Sequence, residues 1–181
     1  MKRIFAVVQA ILLFHLLAFA QNTASHEVKI GTPEFAMLSI EQDGDNPHLR
    51  SEADPAIAVQ YIQLSGSQEH ECWINYSSLV KGGNQYRKVV ASLIGSIPEG
   101  VSVSVEASGY SGSGKGKTGI PSGKKQLTGH PEEIISSIGN CYTGKGNSNG
   151  HLIRLTIEIH PEETDITPFA GDLMVTYRIT E

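Results

Sequence analysis

The sequence predicts an all-β fold, an antiparallel β-sandwich of about seven or eight strands. Three segments alternate strictly between apolar and polar residues, which is the period of a half-buried strand: 101–107, 153–159 and 173–180. Clusters of Gly, Pro, Asn and Asp lie between the apolar segments, as expected for turns that join short strands. A β-barrel of the lipocalin type is the main alternative, but its eight meandering strands are not visible in the pattern.

The first twenty residues have the three parts of a secretory signal peptide. Met1–Arg3 is positively charged, residues 4–19 are almost wholly apolar, and Ala18–Ala20 ends the segment with small residues at the cleavage positions. The apolar stretch is short for a bilayer and contains two polar side chains, which argues against a membrane anchor. We therefore expect residues 1–20 to be removed and residues 21–181 to form one secreted domain, located in the periplasm, at the cell surface or outside the cell. No transmembrane span is expected after cleavage.

The remaining apolar segments are weaker strand candidates, at 35–40, 57–64, 72–79 and 86–93. Segment 131–139 is the single candidate helix, because a Pro and two acidic residues precede its apolar residues and Gly139 follows them. The same segment also fits a strand that leads into Cys141, and the strand is the interpretation we favour.

The Gly-rich region spans residues 109–150 and holds 11 of the 19 glycines. Such a composition predicts a long loop or a loose sheet edge, and loops of this kind often carry function. Its lysines make it locally basic in an acidic chain. The candidate ligand-binding residues are therefore two tyrosines and two lysines of this region: Tyr110, Lys115, Lys117 and Tyr142.

Charge and motifs exclude several classes of function. The net charge of −5 and the pI near 5.8 argue against nucleic-acid binding. Residues 111–118 end in Gly-Lys-Thr like a phosphate-binding loop, but Ser111 replaces the required first Gly, and Pro121 with its flanking glycines prevents the helix that the motif needs. No catalytic motif and no histidine pair with metal-ligand spacing is present. We expect no enzyme activity, no cofactor and no metal.

Both cysteines, Cys72 and Cys141, lie in the part predicted to be exported. An isolated pair in an oxidising compartment predicts one disulfide. A metal site or a catalytic thiol is the alternative, but no second ligand pair has zinc-like spacing. Trp73 is adjacent to Cys72, so we expect its ring to pack in the core near the disulfide.

The closing segment 170–180 is a Gly followed by an alternating strand. Together with the signal peptide, the cysteine pair and the Gly/Ser/Thr-rich middle, it resembles secreted pilin-type or fimbrial subunits of bacteria. The resemblance implies an immunoglobulin-like or pilin-like sandwich that assembles with copies of itself or other surface subunits. Such subunits assemble by β-strand addition, in which an N-terminal strand of one copy completes the sheet of the next. Segment 27–30 alternates and is the candidate donor strand.

Three hypotheses for the function follow from the sequence. The first is an exported, non-enzymatic structural or adhesion protein of the fimbrial or surface-subunit type. The second is a secreted carbohydrate-binding module that binds a glycan through the tyrosines and lysines of the Gly-rich region. The third is a secreted hydrolase whose site is assembled only in the folded chain.

Overall fold

The fold was obtained as a computed structural model that describes residues 33–42, 49–51, 54–63, 67–82, 85–160 and 172–181. The predicted signal peptide and the candidate donor strand 27–30 lie outside these residues. No helix among the described residues has the length and apolar character that crossing a membrane would require.

The described residues form eleven strands and contain no helix. The strands are β1 (Phe35–Glu41), β2 (Leu49–Ser51), β3 (Ile57–Gln63), β4 (Gln68–Leu79), β5 (Arg87–Ile94), β6 (Val101–Ala107), β7 (Lys115–Pro121), β8 (Lys125–Gln126), β9 (Glu132–Tyr142), β10 (His151–Ile159) and β11 (Asp172–Thr180). Every pairing between them is antiparallel. The predicted all-β antiparallel class is therefore confirmed. The strand number exceeds the prediction because β2 and β8 are too short to show alternation and β7 lies in the Gly-rich region.

Hydrogen bonds connect all eleven strands in the order β2-β3-β11-β5-β9-β4-β10-β6-β8, with β1 on β4 and β7 on β9. Strand β9 is the junction of this network. Its first half pairs with β5, its last two residues pair with β4, and β7 pairs along most of its length. A division of these strands into two separate packed sheets stays a prediction.

One apolar core lies beneath the long strands. Alternate residues of β6, β10 and β11 point into it, and Val103, Ile153 and Val175 are all completely buried. The three segments with strict alternation are thus strands, as predicted. Burying each such side chain contributes about 1.5–3 kcal/mol relative to leaving it in water.

Strands β9 and β10 run one after the other along the same edge of β4. Cys141 lies opposite Ser78, whereas His151 lies opposite Ile74, so the two registers differ by six residues. The extra residues, 144–149, leave the ladder as a loop, called here the extruded loop. The Asn75 amide on β4 donates to the carbonyl oxygen of Asn149 at 2.9 Å and holds this loop against the sheet.

The Gly-rich region contains three strands, β7, β8 and β9, and is not one long loop. Segment 131–139 belongs to β9, which confirms the strand interpretation, and Ile134, Ile135 and Ile138 are completely buried. Strand β7 pairs only with β9 among the described strands and fits the predicted loose edge. The prediction of a loop over 109–150 therefore holds only between the strands.

The predicted disulfide between Cys72 and Cys141 is wrong, because both cysteines are free. Cys72 lies six positions before Ser78 on β4, and Cys141 is opposite Ser78. Six residues of extended strand span about 20 Å, whereas the Cα atoms of a disulfide lie within about 7 Å of each other. The separation in the fold, which the chain alone does not reveal, prevents the bond.

Neither thiol is expected to react readily in the folded protein. Burial raises the pKa of Cys72 to about 12 and that of Cys141 to about 11. At pH 8 only about one Cys141 side chain in a thousand is then in the thiolate form, which is the form that reacts. We expect slow labelling of both thiols by an aromatic disulfide reagent at pH 8, faster labelling as the pH rises toward 11, and rapid labelling in urea. A mass increase of about 2 Da on reduction of the untreated protein, which marks a cystine, would contradict this account.

Candidate functional site

Four strands place an exposed row of side chains on the outer face of the network, the face turned away from the core. Met37 of β1 is opposite Ser77 of β4, Ser77 is opposite Tyr142 of β9, and Tyr142 is opposite Lys115 of β7. Directly paired residues of antiparallel strands point to the same face. The small Ser77 therefore leaves a notch between the Met37 side chain and the Tyr142 ring.

A second row extends the same face toward the start of β5. Phe35 lies opposite Leu79 in the β1–β4 ladder. The Arg87 guanidinium donates to the main-chain carbonyls of both residues, which holds the start of β5 beside them. Tyr86 precedes Arg87, and the Lys117 ammonium lies 3.7 Å from the centroid of its ring. The six exposed side chains of the two rows are called here the aromatic–lysine patch: Phe35, Met37, Tyr86, Lys115, Lys117 and Tyr142.

The aromatic–lysine patch combines exposed apolar area with positive charge. Met37 and Tyr142 are 54% and 53% exposed, and Phe35 and Tyr86 are 43% and 44% exposed. Large apolar side chains grouped on a surface mark binding sites more often than single exposed ones do. The contact between Lys117 and Tyr86 is a cation–π interaction, which restrains both side chains before any ligand arrives.

Three of the four candidate ligand-binding residues, Lys115, Lys117 and Tyr142, thus lie together in the patch. Tyr110 does not join them. Its hydroxyl donates to the Thr143 carbonyl at 3.0 Å and accepts from the Gly114 amide at 2.5 Å. These bonds tie the segment between β6 and β7 to the end of β9, so Tyr110 acts within the fold and its hydroxyl is already occupied.

A buried polar cluster centred on His151 lies behind the patch. The side chain of His151 is completely buried, and its ring stacks on Tyr76 with 5.8 Å between centroids. Nδ1 of His151 lies 2.8 Å from the Ser108 carbonyl oxygen. Nε2 lies 2.9 Å from the Tyr76 hydroxyl and 3.0 Å from the Thr118 carbonyl.

The same cluster orients the strands that carry the patch. The Tyr76 hydroxyl also contacts the Thr118 carbonyl, and burial raises its pKa well above the usual value, so it stays a donor. The Tyr76 main-chain amide donates to Thr143 Oγ1 at 2.8 Å. The cluster therefore joins β4, β7, β10 and the end of β9. Sequence reasoning missed it because its members are dispersed along the chain and show no motif.

Residues 111–118, which end in Gly-Lys-Thr like a phosphate-binding loop, do not have the structure of such a loop. Residues 115–121 form strand β7, and no helix follows it in the described part of the chain. A phosphate-binding loop needs a helix whose first amides bind the phosphate. Residues 111–118 therefore lack, in the described part of the chain, the helix that a phosphate-binding loop needs.

Trp73 does not pack in the core as expected. It follows the inward-facing Cys72 and therefore points outward, where its half-buried ring lies opposite Leu152. The two carboxylates that precede it on the same face, Glu69 and Glu71, are exposed. Among the described residues no group of three or more His, Cys, Asp or Glu is arranged to hold a metal ion.

Comparison with known proteins identifies no relative. No family model, no curated protein and no solved structure matches the chain. The resemblance to pilin-type and fimbrial subunits stays a prediction from the residues.

Proposed function

We propose that the chain is an exported, non-enzymatic adhesion protein that binds an anionic polysaccharide through the aromatic–lysine patch. The observation that carries the proposal is the direct pairing of Lys115 with Tyr142 on an exposed face, with Met37 across the Ser77 notch. The exposed ring and the ammonium group are held side by side by the backbone ladder. The proposal joins the predicted adhesion role to the predicted glycan-binding role.

The side chains of the patch match the two kinds of group on an acidic sugar. The flat, apolar side of a pyranose ring packs on an aromatic face, and Tyr142 offers a ring with a polar hydroxyl at its edge. The carboxylate or sulfate of such a sugar pairs with the ammonium of Lys115. Lys117 adds a second positive charge on the same strand. Repeating acidic sugars let weak contacts of this kind act together, as adhesion to a polymer requires.

The patch lies on the face of paired strands, so its backbone groups are already bonded in the ladder. Recognition there depends on side chains, and the ladder fixes the spacing of their Cβ atoms. Cross-strand Cβ atoms lie about 4.5–5.5 Å apart, which is close to the length of one sugar unit. A prearranged site of this kind loses little conformational entropy on binding.

Affinity for oligogalacturonate, measured by calorimetry at low salt, tests this proposal. We expect Tyr142→Ala and Lys115→Ala each to raise Kd about tenfold, which corresponds to about 1.4 kcal/mol. Lys124→Ala and Ile94→Ala are the matched controls, because they remove an exposed lysine and an exposed apolar side chain outside the patch. Binding should weaken as salt is added, since the paired charges are exposed.

Two results would reject the aromatic–lysine patch as a site for an anionic polysaccharide. Equal affinity for an uncharged dextran and for oligogalacturonate would show that the lysines are not used. Equal affinity of the Tyr142→Ala and Ile94→Ala variants would show that binding occurs elsewhere on the protein.

A structural role in a surface polymer is the second candidate, and the outer edge of β7 favours it. Among the described strands β7 pairs only with β9, so its other edge is open to an added strand. Gly116 and Gly119 both have positive φ, and the register shifts between Gly116 and Thr118, which limits the length of regular strand that can pair. If segment 27–30 is the donor, unboiled samples of the protein should run as a ladder on a gel, and removal of residues 21–32 should abolish the ladder. A single band for both would reject strand addition.

A further inference from the structure

A second surface feature lies on the outer face of β4, beyond the extruded loop. Gln42, Glu69, Glu71, Trp73 and Leu152 line an open groove. Leu152 and Glu41 are directly opposite Trp73 on its two sides, so the indole lies in the middle of a row. We call this feature the Trp73 groove. Trp73 is four residues from Ser77 on β4, or about 13 Å along the strand.

The Trp73 groove has the opposite charge from the aromatic–lysine patch. Arg154 Nη2 lies 2.9 Å from Glu71 Oε1, and both side chains are about half exposed. The hydrogen bond from Arg154 to Glu71 raises the pKa of the guanidinium, and the charges of Glu69 and Glu106 add to the effect. Four carboxylates of the described residues lie in or beside the groove: Glu41, Glu69, Glu71 and Glu106. The positive charge among them is the Arg154 guanidinium. A cationic ligand is therefore favoured over an anionic one.

We propose that the Trp73 groove binds a saccharide that carries a free ammonium group, that is, an amino sugar. The indole of Trp73, with Leu152 beside it, provides a flat apolar surface on which a pyranose ring stacks. Glu69 accepts hydrogen bonds from the hydroxyl groups and pairs with the ammonium, which the indole also attracts through its π face. This site does not depend on the polysaccharide site proposed above, because the two select ligands of opposite charge.

The backbone at the groove favours a saccharide over a cationic peptide. Trp73 is paired with β1 on one side and with β10 on the other, so no strand edge is available there for a peptide to extend. Recognition must come from side chains that point up from the sheet. A sugar presents hydroxyl groups in several directions to such side chains, and its ring covers the indole.

Trp73 is the single tryptophan of the chain, so intrinsic fluorescence reports directly on this groove. We expect glucosamine oligomers to change the emission of the full-length mature protein saturably, and N-acetylglucosamine oligomers of equal length to bind about tenfold more weakly. Glu69→Gln should weaken binding of the glucosamine oligomers several-fold. Glu158→Gln, which removes an exposed carboxylate farther along β10, should leave it unchanged.

Each other outcome of this experiment overturns the proposal. Equal affinity for the acetylated and the free oligomers would show that the charge is not recognised. An unchanged emission at millimolar oligomer would show that the groove binds neither. A lysine-rich peptide that changes the emission at lower concentration than the glucosamine oligomers would assign the groove to a cationic protein. Tyr142→Ala should leave the titration unchanged, so failure of the patch and failure of the groove are separately visible.

Discussion

Replacing His151 with alanine is expected to destabilise the fold by about 4 kcal/mol. The substitution leaves a cavity at a completely buried position and removes the polar partners of the Tyr76 hydroxyl and the Ser108 carbonyl, and both effects are costly. The stacked Tyr76 ring loses its partner as well. Urea denaturation followed by far-ultraviolet circular dichroism measures the change in the free energy of unfolding. A domain of this size is typically stable by about 5–15 kcal/mol, so the effect should be clear.

His160 supplies the matched control for this prediction. It is exposed, and its Nε2 lies 3.4 Å from Ser102 Oγ, so His160→Ala should change stability by less than about 0.5 kcal/mol. If His151→Ala and His160→Ala were equally stable, the buried cluster would not hold the strands together. The orientation of the patch would then need another explanation.

Substitution of Gly150 by alanine is expected to cost about 2–5 kcal/mol. Gly150 has φ of 91°, and a Cβ atom there would lie 2.0 Å from the Ile74 carbonyl oxygen. The positive φ alone costs an L-residue about 1–2 kcal/mol, and the overlap with backbone adds a packing cost of about 1–3 kcal/mol. Thermal unfolding compared with the parent protein measures the sum.

Gly123→Ala is the control that separates the conformational cost at Gly150 from the cost of the steric overlap. The φ of Gly123, 77°, is also positive, but a Cβ there would meet nothing within 4 Å. We therefore expect Gly123→Ala to lose only the conformational part, about 1–2 kcal/mol. Equal losses at Gly123 and Gly150 would show that the end of the extruded loop does not approach β4 as closely as described.

Alternation predicted the strands that face water on one side and the core on the other. In β10, Ile153, Leu155 and Ile157 are buried while Arg154 and Glu158 are exposed, so the contrast is visible in the sequence. Strand β9 lacks this contrast. Its ladder with β5 contains register shifts, and adjacent Ile134 and Ile135 are both buried. A period of two cannot describe such a strand.

The candidate site was predictable only in part, because strand pairing decides it. Lys115 and Tyr142 were named from composition, but nothing in the chain indicates that they are direct partners. Trp73 had a usable signal. Trp73 lies two and four residues after Glu71 and Glu69 on β4, so its side chain points to the same outer face as these two carboxylates. The prediction of a core position relied instead on the neighbouring Cys72. The buried cluster of Tyr76 and His151 joins residues 75 positions apart and has no signal in the sequence.

The measurement that tests the central claim most directly is a nuclear magnetic resonance titration of residues 21–181 with oligogalacturonate. The account predicts shifts of the Lys115, Lys117 and Tyr142 amide signals at low salt and loss of the shifts at high salt. The indole N–H signal of Trp73, the single tryptophan, should not move. Shifts confined to the Trp73 groove, or no shift at millimolar oligosaccharide, would contradict the assignment of the aromatic–lysine patch as the binding face.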